Sequence, residues 1–252
     1  MKNQLLFAFF CGLLATTSCS KDDTADLIPP PNGGGGPDTS SVTDINGNTY
    51  VTIKIGTQEW MQENLRTTKY NNGDVIPTGL NYVQWSNATT GAWTYYNDSA
   101  QYNNPYGKLY NWYAVADSRG LCPTGWHVPT DSDWNVLVKQ LDYAADTSQN
   151  SYNQSPVAGW YLKTPGSLLT GNGLWLATDT ATNNSSGFSG LPAGYCSLSF
   201  DFDKISLGGY WWSSTEIITA GPWARNLNYT DPFVLRKIYD KRYGFSVRCI
   251  KD

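Results

Sequence analysis

The chain has 252 residues, 14% of them aromatic and only 15% charged, with 11 Trp, 17 Tyr and a net charge of −4. An acidic chain without a basic stripe excludes nucleic acid as a partner, and a single histidine, His127, excludes a His-rich metal centre. Large rings supplying the burial that few long aliphatic segments provide, among plentiful Gly and Asn, describe a loop-rich extracellular β or α+β domain.

The chain opens with Lys2 and the apolar run LLFAFFCGLLA, too short to cross a bilayer as a mature helix. Residues 1–18 therefore read as a secretory signal. The TTSC that closes it resembles the lipobox of bacterial lipoproteins, with cleavage before Cys19, the residue expected to carry the lipids. Acyl chains hold a protein at a bilayer without a membrane-spanning helix. The SKDD that follows, residues 20–23, is similar to the short signal that sends lipoproteins of the Bacteroidetes to the outer face of the outer membrane. The expected location is thus the cell outer membrane, lipid-anchored and facing outward. Proline and glycine runs in DLIPPPNGGGGPDTSS make residues 19–41 a tether. Residues 42–252 are one domain's worth of chain.

Within that domain, TDINGNTYVTIKIG predicts a hairpin turning at Asn46, Gly47 and Asn48, with Tyr50, Thr52 and Lys54 alternating with Val51, Ile53 and Ile55. DINGN starts like a calcium loop but lacks the acidic ligand at its end, so it reads as a turn. The stretch from Glu59 to Leu65, with WMQENL, predicts a short helix or a turn. The clearest helix opens at Thr130, a good N-cap, with Asp133 placed to reach back and Asp131 at the positive end of the dipole. Trp134, Leu137, Val138 and Leu141 then form one apolar stripe. Residues 143–184 read as polar loops anchored by Trp160 and Trp175. FSVRCI, residues 245–250, alternates as a terminal strand.

With Cys11 in the signal and Cys19 lipidated, Cys122, Cys196 and Cys249 remain. Outside the cytoplasm thiols pair, and an odd count leaves one over. A Cys122–Cys249 bridge ties the segment before the helix to the terminal strand and closes a long loop, so it is the expected pair. Cys196 is then a buried free thiol or a point of intermolecular pairing.

IGTQEWMQENL, YGKLYNWYAVAD, GLCPTGWHVPTDSDW, ATNNSSGFSGLPAGY, GYWWSSTE and YGFSVRCIKD, in this order, closely resemble the Fibrobacter succinogenes major paralogous domain. The resemblance covers residues 42–252 and implies a bacterial protein, secreted or lipid-anchored. It also implies an α+β, C-type-lectin-like fold related to the sulfatase-modifying factors: short twisted antiparallel sheets, one or two packed helices and long loops. Lectin-like domains often join a cysteine near the first helix to one in the last strand, which agrees with Cys122–Cys249. The Glu-Pro-Asn or Gln-Pro-Asp loop of calcium-dependent lectins is missing, as is the second C-terminal cysteine of the sulfatase-modifying oxidases. Neither activity is therefore carried over.

His127 reads as a packed or capping residue, no Gly-x-Ser-x-Gly is present, and no phosphate loop or dinucleotide fingerprint appears. No catalytic residue, metal ligand or cofactor is expected. A glycosidase needs two carboxylates, and Glu59, Glu63 and Glu216 are the only glutamates. Glu216 and Arg225 read first as a structural ion pair at a sheet edge. The sharper reading gathers Glu216, Arg225 and Asn228 as polar anchors beside Trp211, Trp212 and Trp223, suited to a sugar ring. On a strand Trp211 and Trp212 point to opposite sides, so one belongs to the core and at most one is free. Asp-Ser/Thr-small tripeptides at Asp23, Asp98 and Asp179 resemble O-glycosylation acceptors of exported Bacteroidetes proteins. The expected function is a non-enzymatic surface domain that binds a glycan or a partner protein. The alternatives are an enzyme acting on extracellular polysaccharide and a structural subunit of a surface assembly.

Overall fold

The computed structural model describes residues 39–148 and 151–252. The signal, Cys19, the first tripeptide and the tether up to residue 38 lie outside the described residues. The elements in chain order are β1 (Thr39–Thr43), β2 (Thr49–Ile55), β3 (Gln58–Met61), α1 (Tyr82–Ser86), β4 (Trp93–Thr94), α2 (Asn103–Tyr106), β5 (Leu109–Tyr110), α3 (Trp112–Val115), β6 (Trp126–His127) and α4 (Asp131–Leu141). There follow β7 (Asn153–Ser155), α5 (Ala158–Leu162), β8 (Ala193–Cys196), β9 (Phe202–Ile205), β10 (Gly208–Ile217), β11 (Gly221–Asn228), β12 (Val234–Ile238) and β13 (Ile250–Lys251). The architecture is mixed α and β, mostly antiparallel sheet with short helices. Among the described residues no helix is long and apolar enough to cross a membrane.

A five-stranded sheet runs in the order β1-β2-β3-β13-β6. Its first hairpin forms where the turn residues place it, and β1 begins at Thr39, three residues before the expected edge of the domain. The Asp44 carboxylate closes the turn: Oδ1 accepts the N–H groups of Asn46 and Asn48, and Oδ2 accepts the Tyr50 hydroxyl at 2.7 Å. That carboxylate is occupied by its own turn, as the turn reading requires. The next segment departs from expectation. Residues 58–61 are a strand, and Trp60 and Met61, both fully buried, enter different cores. Neighbouring residues buried on opposite faces suit a strand between two apolar layers and not a one-sided helix.

The second sheet, in the order β10-β11-β12-β7, is the wall between those layers. Trp212 packs with Tyr110, Trp112, Phe245 and Val247 on one side, and Trp211 packs with Trp60, Trp134, Phe188 and Leu227 on the other. FSVRCI threads the same divide, with Phe245, Val247 and Cys249 joining the Trp212 layer and Ile250 the Trp211 layer. Only its end, from Ile250, is a strand, and Ser246 and Arg248 between the apolar residues are fully buried too. Burial pulls the Arg248 guanidinium down to about 9. It donates to the Phe188 and Ser189 carbonyls and to Asn64 Oδ1.

Helix α4 carries the expected capping box. Thr130 Oγ1 accepts the Asp133 N–H and Asp133 Oδ2 accepts the Thr130 N–H at 2.8 Å, satisfying two donors that a helix start leaves orphaned. Trp134, Leu137 and Val138 face the core. The region of expected loops contains β7 and α5, and Trp175 is fully buried, its indole N–H on the Gly190 carbonyl. Cys122 and Cys249 form the disulfide, 127 residues apart in sequence, and Cys196 is a buried free thiol.

Candidate functional site

The residues 208–217 strand separates the side chains that sequence alone would gather. Trp211 and Trp212 do point to opposite sides, but each side is a core, and they are 1% and 0% exposed. Trp211 donates its indole N–H to Asn64 Oδ1 and Trp212 to the Tyr110 carbonyl, both at 2.9 Å or less. With their rings packed and their only donors used, neither presents a surface to a ligand. Trp223 is also buried, its ring covered by the Arg236 guanidinium at 3.7 Å. Asn228 lies at the far end of β11, where its carbonyl accepts from Lys163 Nζ at 2.9 Å.

The serines and threonine after the tryptophans have a different task. Pairing of β10 with β11 is in register at Trp212–Ala224 and again at Glu216–Pro222, so a bulge lies between. A bulge re-aims side chains, and here it docks the start of α4. Ser214 donates through its N–H to the Pro129 carbonyl and through Oγ to the Val128 carbonyl, and Thr215 Oγ1 accepts the Asp131 N–H.

The expected Glu216–Arg225 ion pair does not form. Arg225 lies opposite Trp211 on β11 and shares its face toward α4, whereas Glu216 lies beyond the bulge at the end of the hairpin. Arg225 Nη2 instead meets Asp131 Oδ1 at 2.9 Å, and Arg236 of β12 holds the same carboxylate through Nε at 2.8 Å and Nη2 at 2.6 Å. Arg225 is 1% exposed and Arg236 3%. Burial pushes the Asp131 carboxyl up, but the two guanidiniums outweigh it and hold it below its ordinary value. Burial also pulls Arg225 down to about 10, against the attraction of Asp131. This cluster is largely buried and joins α4 to the second sheet.

Glu216 opens onto a cleft of about 540 Å³ at the tip of the β10–β11 hairpin. The walls are residues 86–89 at the end of α1, Tyr113 of α3, the tip residues 218–221, and residues 239–242. Gly221, at φ +120, makes the tip possible, because a Cβ there would meet the Tyr239 carbonyl at 2.7 Å. Two ion pairs line the cleft. Asp240 and Arg242 form a two-pronged pair, Nε to Oδ1 at 2.8 Å and Nη2 to Oδ2 at 2.7 Å, and Arg242 Nη1 reaches the Ser86 carbonyl. Those bonds to Arg242 displace the Asp240 carboxyl below its ordinary value. Lys241 Nζ stands 2.6 Å from Glu216 Oε1 and 5.0 Å from the centre of the Trp112 ring. Ile218, at the rim, is 94% exposed.

Of the six residues expected to bind ligand, only Glu216 lines this cleft. Tyr113, Tyr239 and Lys241 were not anticipated. A signal was available in YDKRYG, where an acid and two consecutive bases stand between tyrosines just before the terminal core run. His127 bridges Asp252 and Asp133, Nδ1 to Oδ1 at 2.7 Å and Nε2 to Oδ2 at 3.2 Å, and ties the C-terminus to α4. Among the described residues no group of three or more His, Cys, Asp or Glu is arranged to hold a metal ion.

The family model of the Fibrobacter succinogenes major domain matches residues 53–251, which takes in both sheets' central strands, the disulfide and the cleft. No curated protein and no solved structure matches the chain.

Proposed function

The chain belongs to the Fibrobacter succinogenes major domain family, and we propose that it is a non-enzymatic, surface-displayed binding domain with a lectin-like fold. On this reading Cys19 carries the lipid anchor in the outer membrane and the hairpin-tip cleft meets a glycan or a partner protein. The observation that carries the reading is the cleft itself. Its volume of about 540 Å³ falls in the range of small-ligand sites, roughly 300–1,000 Å³. It combines partly exposed tyrosines with charged side chains beside an apolar, solvent-exposed tip. The tryptophans 211, 212 and 223, by contrast, are spent on the interior.

Hydrolysis of a polysaccharide requires one carboxyl that stays protonated near neutral pH. Asp240, the second carboxylate of the cleft, is held below its ordinary value by Arg242, which takes both of its oxygens, so it is not that proton donor. A glycan array together with pull-downs from surface extracts tests the proposal, with Tyr113→Ala and Ile218→Asp as cleft controls. Capture that both variants abolish supports it. Silence in both assays removes its basis. The anchor is tested by labelling with a fatty-acid probe, which is expected to disappear in Cys19→Ala.

A further inference from the structure

The two ion pairs of the cleft differ in what they leave over. Arg242 is fully engaged: Nε and Nη2 are on Asp240, Nη1 is on the Ser86 carbonyl, and both Asp240 oxygens are taken. The pair is a strut that joins the residues 239–242 turn to the end of α1. The Glu216–Lys241 pair makes a single contact, between Oε1 and Nζ. Among the described residues, Glu216 Oε2 has no hydrogen-bond partner, and Lys241 Nζ has no other acceptor. The cleft therefore offers one acceptor and one ammonium with spare donors, side by side, at 23% and 33% side-chain exposure.

Lys241 is held in place before any ligand arrives. Lys241 lies against the Trp112 ring at 5.0 Å and the Tyr113 ring at 6.0 Å, and its carbonyl accepts the Trp112 N–H at 2.8 Å. Trp112 is itself fixed, 6% exposed, with its indole N–H on the Ser213 carbonyl of the bulge. A donor immobilised in this way loses little freedom on binding.

The charge balance then selects among ligands. Glu216 and Asp240 offset Lys241 and Arg242, so the cleft is neutral, and the one guanidinium fork suited to a carboxylate or sulfate is already occupied by Asp240. An acidic ligand would have to share Lys241 with Glu216 and meet repulsion from that carboxylate. A neutral polyol meets no such cost. Adjacent hydroxyls on a pyranose ring present a donor and an acceptor side by side, as the free Glu216 oxygen and the spare Lys241 donors do.

We infer that the cleft takes a neutral sugar ring by two adjacent hydroxyls, one donating to Glu216 Oε2 and the other accepting from Lys241 Nζ, with the Tyr113 ring against its apolar face. The grip is made by side chains alone and needs no divalent cation. This rests on the reading of the cleft as a binding site.

The test is affinity electrophoresis and titration calorimetry of the full-length chain with a neutral glucan, a neutral mannan and polygalacturonate, each with and without EDTA. At least one neutral polymer is expected to bind, unchanged by EDTA and in preference to polygalacturonate. Lys241→Met and Glu216→Ala should each weaken it by about tenfold or more, with thermal midpoints close to that of the parent chain. Glu216→Gln, which keeps an acceptor, should lose less than Glu216→Ala. Preference for polygalacturonate overturns the inference, as does dependence on a divalent cation. Unaltered binding in both Lys241→Met and Glu216→Ala overturns it equally. If no polymer binds but a surface protein is captured through the cleft, the sugar assignment falls while the binding function stands. If nothing is captured at all, both fall.

Discussion

The strands β10 to β12 and the turn that follows carry two ion-pair sites of opposite design. At Asp131, two arginines converge on one carboxylate with 1% and 3% exposure, and the group welds α4 to the sheet. At Glu216, a lysine meets one oxygen of a carboxylate that keeps the other for solvent. Charge type is nearly the same in the two places. Burial and spare hydrogen-bonding capacity make one a structural joint and the other a place where something can bind.

Breaking the buried site should give the largest effect. Asp131→Ala leaves two guanidiniums facing each other without an anion, a change that costs about 3–5 kcal/mol. Urea denaturation is expected to show a loss of that order or no folded protein, and a shift under about 1 kcal/mol would contradict the account. Reduction of Cys122–Cys249 ranks next. With 127 residues of separation in the closed loop, it should cost about 2–5 kcal/mol, read as a lower denaturation midpoint after reduction and alkylation.

The acid limb sharpens the comparison further. Asp131 is held below its ordinary 3.8 in the folded state, so the unfolded chain binds its proton first as pH falls. Its stabilisation is complete above about pH 4 and is lost as the pH drops through the folded value. The thermal midpoint should therefore be insensitive to this group from pH 7 to about 4 and decline below. Asp131→Asn, already weakened, should show a shallower decline. Glu59 lies on the exposed side of the same logic. Lys251, with Ser40, holds it down to about 2, but the pair is open to water and screening makes its share small. The smallest effect is expected at the cleft, where Lys241→Met should change stability by less than about 1 kcal/mol, measured as an almost unchanged thermal midpoint.

Legibility in the sequence followed the distance over which each feature is decided. The α4 capping box lies within four residues, Thr130 to Asp133, and was readable outright. The Asp44 turn was as well. The disulfide was readable because, of the three cysteines in the domain, Cys122 and Cys249 lie far apart in sequence and would close a long loop. The opposite facing of Trp211 and Trp212 follows from strand geometry alone, but both faces being covered depends on layers brought from residues 60, 110, 188 and 245. No local pattern announces that. The partner of Glu216 was misread because Arg225 sits opposite Trp211, well before the end of β10, while the cation that meets Glu216, Lys241, arrives from the turn after β12. Asp131 was noted only for the helix dipole, since its arginines lie 94 and 105 residues away.

That bulge has one more implication, for how such a domain can change. Ser214 and Thr215 clamp the hairpin to the start of α4, and the strand beyond them carries no core tryptophan. The tip from Ile217 to Ala220 is exposed throughout, so its length and chemistry can be exchanged without reaching the welded joint behind it. The exposed tip thus lies apart from the buried joint, and the seam between them is Ser214 and Thr215.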